Sequence, residues 1–234
     1  MSHGAIRSPS LLAIDTATEQ CSVALLHQGA ELSRGVQTAR GHADLVLPMV
    51  QELMAEAGLS FTQLDAIAFG RGPGGFTGVR IAIGVAQGLA YAADLPLLPV
   101  SNLAAVAQQG ARLVSIGAQL LVCMDARMGE VYSGLFKLDS DGLVTTASAE
   151  QVCPPERIDV ATSSLSMGLG TGFRAYPLLK QRYAELPLKE DALPHAADIA
   201  RLAVREWHAG VRVSPADAAP VYLRDQVVHV KSSV

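Results

Sequence analysis

No run of lysine and arginine occurs anywhere in the 234 residues, and the formal net charge is -4. The chain therefore lacks the electrostatic footprint that a protein needs to grip a phosphate backbone unaided. Charge of either sign is sparse, at 17% of residues against 50% hydrophobic, which excludes a disordered chain and leaves a globular one. The length suffices for one large domain or two small ones with a real core. Cysteine is scarce: Cys21, Cys123 and Cys153 stand far apart in apolar contexts with no CxxC, the pattern of buried thiols in a reducing compartment. The opening MSHGAIRSPS is polar and lacks the apolar stretch of a signal peptide, so a cytoplasmic protein is expected. Ile81 to Val100 carries a single charge, but Gln87, Asp94, Pro96 and Pro99 interrupt it, which argues against a membrane-spanning helix.

What is present alternates between short apolar runs and turn signals. After a loose extension over residues 1–9, Leu11 to Asp15 reads as a buried strand, DTATEQ as a turn and CSVALL as a second strand. Gln28-Gly29 turns the chain into a third strand through Glu31 to Gln37. A helix is expected from about His42 to Ala57, with Leu45, Met49, Leu53 and Met54 on one side and Gly58 closing it. Pro48 inside it predicts a late start or a kink. Leu64 to Phe69 is the next strand, Thr77 to Ala93 the next helix, and Leu97 to Val100 a further strand. The second half repeats the theme, since LLVCMDARMGEVYSGLF follows LLAIDTATEQCSVALL at a distance of about 110 residues and each reads strand–Asp–turn–strand. Asp141-Gly142 marks a hairpin, Pro154-Pro155 a connection, a strand is expected near Leu165, and His195 to Ala209 reads as an amphipathic helix carrying Ile199, Leu202 and Trp207. The duplication predicts an α/β protein of two lobes, residues 10–105 and 106–224, each a mixed sheet flanked by helices, with a tail over 225–234.

FGRGPGGFTGVRIAIGVAQGLA, from Phe69 to Ala90, has the layout of a phosphate cradle, with glycines between a strand and a helix. It lacks the lysine of a P-loop, and its glycines continue through the helix, where Gly78, Gly84 and Gly88 each cost about 1 kcal/mol relative to alanine. Gly84-x-x-x-Gly88, flanked by Ala82, Ala86 and Leu89, makes a bare groove that another helix can approach closely. Packing against helix 42–57 uses part of this surface, but a helix apolar nearly all round has more than one face to bury. The expected partner interface joins Leu45, Met49 and Leu53 to Gly78, Ala82, Gly84, Val85, Gly88 and Leu89, with the Gly70–Gly75 loop shaping the entry turn.

Other candidates have two readings each. Asp15 and Thr16 could hold hydrated magnesium at a phosphate site, or simply cap backbone N–H groups in a polar turn. Asp125 is the corresponding residue of the second half, and Arg127 is expected to pair with Asp125 or Glu130 across its turn. Gly168, Gly170 and Gly172 in SMGLGTGF leave room for a base or ribose, or for close backbone packing; no acidic ribose ligand follows at the usual distance. These six residues, Asp15, Thr16, Asp125 and the three glycines, are the candidate nucleotide contacts. His3, His27, His42, His195, His208 and His229 are scattered without ligand spacing, and no Ser or Cys nucleophile with a nearby His can be read, so no catalytic residue and no metal ligand is assigned.

The doubled strand–Asp–turn–strand resembles the actin/hexokinase/Hsp70 (ASKHA) split fold, in which the two turns face each other across a nucleotide cleft. LAIDTATEQCSVAL, GRGPGGFTGVRIAIGVAQGLA, DARMGEVY and PVYLR, in that order between Leu11 and Arg224, resemble the TsaB (YeaZ) family. The resemblance implies a partner protein that works with its paralogue TsaD and the ATPase TsaE to place a threonylcarbamoyl group on N6 of the adenosine next to the tRNA anticodon. It implies that TsaD carries the chemistry and that tRNA is reached only through the complex. It also implies a homodimer in isolation, built on the same helix surface that TsaD uses. No cofactor is implied for this chain itself, ATP or ADP entering at the complex. TsaD carries a His-x-x-x-His pair just after the strand matching Leu97 to Val100, two imidazoles on one helix face. Here Asn102 and Val106 stand in those places, and valine binds no metal, which also argues against a metallopeptidase. The alternative that stays open is an independent small ATPase or kinase using Asp15 and Asp125 across the cleft.

Overall fold

The computed structural model describes residues 8–224. The tail expected over 225–234, and most of the extension expected over 1–9, lie outside the described residues. β1 (Leu11–Asp15), β2 (Gln20–His27) and β3 (Ala30–Gln37) form an antiparallel meander. β4 (Ala66–Gly70) and β5 (Leu97–Val100) join in parallel on the other side of β1, giving the order β3-β2-β1-β4-β5. The outer face of this sheet carries α1 (His42–Ala57) and α2 (Phe76–Ala93). Gly58 closes α1 in the left-handed conformation, its N–H bonded to Ala55 and that of Leu59 to Met54. Pro48 neither delays nor ends α1, which begins at His42 and keeps Pro48 exposed on its solvent side.

α3 (Asn102–Gly110) leads to the second sheet, formed by β6 (Gln119–Arg127), β7 (Glu130–Leu138), β8 (Val144–Thr146), β9 (Gln151–Cys153), β10 (Met167–Leu169) and β11 (Leu188–Lys189). Its order from the far edge is β8-β7-β6-β10-β11, the same sequence of antiparallel and parallel neighbours as the first sheet, with β9 added beside β7. α4 (Gly172–Ala175) and α5 (Pro177–Arg182) cover its outer face, and α6 (Ala196–His208) follows. The strand expected near Leu165 is β10, at Met167–Leu169, just after a 3-10 turn over Thr162–Ser164 that ends at Leu165.

Both sheets are covered on both faces, which is why β1 is buried along its whole length. Period-two alternation sends Leu12, Ile14, Ile67 and Phe69 toward α1 and α2, and Leu11, Ala13, Ala66 and Ala68 into a central core. In that core the helices change sides. α6, from the end of the chain, packs on β1, β2, β4 and β5 of the first sheet. α3 packs on β6, β7, β8 and β10 of the second, and the two helices touch. The alanines of the first sheet meet Ala196, Ala200 and Ala203 of α6, so small side chains let the helix lie close. A boundary at residue 105 therefore falls inside α3, and the two halves share the central core while each keeps an outer one of its own.

Candidate functional site

The turn after β1 is built inward. Asp15 is fully buried, and its Oδ1 accepts from the Asn102 side-chain amide at 2.6 Å. Asn102, at the start of α3, is buried too, and its Oδ1 accepts from the Gly72 N–H at 2.7 Å. Asp15 Oδ2 has no hydrogen-bond partner among the described residues. Burial outweighs the hydrogen bonds from Asn102 and Ala17 and pushes the Asp15 carboxyl up to about 7. Thr16 donates its hydroxyl to the Gly78 carbonyl at 2.6 Å. A Cβ on Gly78 would stand 2.1 Å from the Thr16 carbonyl oxygen, and one on Gly70 2.1 Å from Asp15 Oδ1. The Thr16 hydroxyl is thus spent on the Gly78 carbonyl and one Asp15 oxygen on Asn102, so the turn is bonded inward to the chain itself, with Asp15 Oδ2 the one buried oxygen of the pair left without a partner among the described residues.

The second turn is built outward. Asp125 is exposed, and its Oδ1 accepts from the Tyr176 hydroxyl at 2.9 Å and from the Arg127 N–H at 2.8 Å. The Arg127 bond to the Asp125 carboxylate accompanies a bulge between the two residues, past which β6 runs on to Arg127. The expected pairing of the Arg127 side chain is not formed. Arg224 takes Glu130 instead, with Nε 3.0 Å from Oε2, and Arg127 is exposed at the bulge with a φ of 61°. The three glycines are also used differently from a base or ribose site. A Cβ on Gly170 would stand 2.4 Å, and one on Gly172 2.8 Å, from the Cys123 carbonyl oxygen, while Gly168 is closed by Leu188 and Phe173. They bring β10 and α4 against β6, and the chain itself fills the room they leave.

α2 has two faces. Val79, Ala82, Ile83, Ala86 and Ala90 are buried on the sheet. On the opposite side Phe76 is 57% and Tyr91 83% exposed, with Arg80, Gly84 and Gly88 between them. Nothing lies within 4 Å of a Cβ placed on Gly84 or Gly88. Val85 and Leu89 of α2, and Leu45 and Met49 of α1, are half-buried beside this open strip. Three expected interface residues are corrected to internal ones: Leu53 and Ala82 are 0% exposed in the core, and Gly78 is closed against Thr16. α2 is the one helix among the described residues long and apolar enough to cross a membrane by length and composition. Its apolar residues divide between the face seated on β1, β4 and β5 and this open strip.

Sequence comparison decides which family builds this arrangement. The tRNA threonylcarbamoyladenosine biosynthesis protein TsaB of Escherichia coli is 42% identical over 225 residues, covering 94% of this chain and 97% of its own. This chain belongs to the TsaB family. TsaB of Haemophilus influenzae is 40% identical, covering 95% of this chain and 96% of its own. Among solved structures, YeaZ from Pseudomonas aeruginosa superposes with a TM-score of 0.82 at 45% identity, over 92% of this chain and 100% of its own. The family model described as TsaD, tRNA N6-adenosine threonylcarbamoyltransferase, matches residues 35–228. This chain thus has the two-lobed, TsaD-type ASKHA fold expected from its sequence.

Within this TsaB fold the structure brings Asp15 to Asn102 and Gly72, and Asp125 to Tyr176 and Thr171. Sequence reasoning missed three things: Asn102 as the partner of Asp15, Arg224 as the partner of Glu130, and the exposed aromatics Phe76, Tyr91 and Tyr222. The aromatics had a signal. Phe76, Arg80, Gly84 and Gly88 are spaced four apart, and with Tyr91 they fall within about one third of the helix circumference.

Proposed function

We propose that this chain is a non-catalytic partner that binds and activates a TsaD-type transferase, together with a TsaE-type ATPase, in forming threonylcarbamoyladenosine next to the anticodon of tRNA. The observation that carries this reading is the outer face of α2, where Gly84 and Gly88 have nothing within 4 Å and half-buried apolar side chains stand on both sides. Such a face admits a second helix at close range. The named function of the full-length relatives supports the pathway. In this reading the chain acts in the cytoplasm and forms a homodimer through the same face when TsaD is absent. It meets tRNA only within the complex, and ATP or ADP belongs at the junction with TsaD. The alternative of an independent ATPase draws no support from Asp15, which is buried and bonded to Asn102.

The test is reconstitution. Threonylcarbamoyladenosine on tRNA is measured with this protein, a TsaD-type protein and a TsaE-type protein, each omitted in turn. Loss of product whenever this chain is left out, together with none from this chain alone, is the expected result. Undiminished product without it would overturn the proposal.

A further inference from the structure

We propose that residues 219–224 are a clasp that ties the two halves together, with Arg224 as its catch. After α6 the chain returns to the first half, where Val213 exchanges two backbone hydrogen bonds with Leu97. It then runs along α2, where the Gln87 side-chain amide donates to the carbonyls of Pro215 at 2.8 Å and Ala218 at 3.2 Å. The Val221 N–H donates to the Arg71 carbonyl at 2.8 Å, and the Val221 carbonyl lies so close to Gly72 that a Cβ there would stand 2.9 Å from it. Tyr222 stacks on Phe76 with centroids 5.9 Å apart, and the Arg80 guanidinium lies 3.3 Å over the Phe76 ring. All of these anchors belong to the first half.

Two residues later the same segment grips the second half. Arg224 forms its ion pair with Glu130 and donates to the carbonyls of Ala126 at 3.2 Å and Arg127 at 3.5 Å. These carbonyls sit at the bulged end of β6, where a strand leaves groups outside its ladder that a forked guanidinium can satisfy. The side chains of Arg224 and Glu130 are only 19% and 31% exposed, so the pair is better shielded from solvent than an ordinary surface ion pair. The central core ties the halves together at α3 and α6; the clasp is a separate tie, between the glycine loop after β4 and the β6–β7 hairpin. Tyr222, 46% exposed, continues the outer strip of α2. A protein seated on that strip would touch the clasp directly, although the clasp itself stands without the functional reading above.

Hydrogen exchange on the full chain tests the proposal, comparing wild type, Arg224→Ala and the charge swap Arg224→Glu with Glu130→Arg. In Arg224→Ala, exchange should rise by about tenfold or more both at residues 70–76 and at residues 124–131, while α6 keeps its protection. The charge swap restores the ion pair but not the donors to the Ala126 and Arg127 carbonyls, so it should bring both segments back in part, below wild-type protection yet above Arg224→Ala. A rise confined to residues 219–224, or to only one of the two anchoring segments, would overturn the clasp. Should Arg224→Ala lose protection in α6 as well, Arg224→Lys, which keeps the charge and removes the fork, is judged by the same two-sided criterion.

Discussion

Asp15 shows how a residue that reads as a ligand becomes a strut. Its carboxyl is buried, one oxygen holds Asn102, and the other has no partner among the described residues, so the neutral form is favoured. The sign of the consequence follows from linkage. The folded state binds the Asp15 proton up to about pH 7, whereas the unfolded chain releases it near 3.8, so this residue's contribution to stability is full below 3.8 and is lost as pH rises toward 7. Asp15→Asn keeps the shape and removes the titration. Urea unfolding of the two proteins should show the variant gaining on wild type between pH 4 and pH 7, by roughly 1 kcal/mol per unit, and running parallel above that. Parallel stability curves across the whole range would show that Asp15 stays ionised in its burial. His195 works in the opposite direction: its Nδ1 accepts the Ala197 N–H at the start of α6, and burial holds the ring below its ordinary value. Its contribution is full above 6.5 and is lost as pH falls below that toward the lowered folded value, but it is common to both proteins and cancels in the difference.

At the scale of the element, α2 tests whether its glycines answer to the chain or to a partner. Gly78→Ala drives a methyl into the Thr16 carbonyl and should cost the monomer about 2 kcal/mol or more. Gly84→Ala meets nothing and should stabilise the monomer by about 0.5–1 kcal/mol. The same substitution six residues apart thus has opposite signs, which thermal unfolding of the two variants would check directly. Gly84→Leu should likewise leave the monomer folded, yet fill the groove and abolish association in sedimentation runs with and without a TsaD-type partner. Undiminished association would remove α2 from the interface. The sequence made the groove legible, because glycines that persist through a helix cost stability and need another use. It did not separate Gly78 from Gly84 and Gly88, since that depends on the Thr16 carbonyl, a backbone group brought close only by the fold. Nor did it show Leu53 as a core residue: the periodicity of α1 marks an apolar side without saying which part of that side reaches the sheet.

For the whole molecule, the doubled strand–Asp–turn–strand was enough to announce two sheets of like order, and β3-β2-β1-β4-β5 recurs as β8-β7-β6-β10-β11. The exchange of α3 and α6 between the sheets was not legible. Ala13, Ala24, Ala66 and Ala68 sit in strands buried on both faces, where an unbroken apolar run carries no mark of which helix covers which side. That exchange decides how the protein unfolds. Removing α6 would bare the inner face of the first sheet, and removing α3 that of the second, so neither half has a complete core of its own. One cooperative transition is therefore expected in urea, despite a two-lobed architecture in which two would be the ordinary outcome. Trp207, the chain's one tryptophan, lies in α6 against the central core under the Arg212 guanidinium and reports on that helix alone. Its fluorescence should change at the same denaturant concentration as the far-ultraviolet circular dichroism of the whole chain. Separate midpoints would mean that one sheet survives the loss of the helix covering it, and that the halves are domains after all.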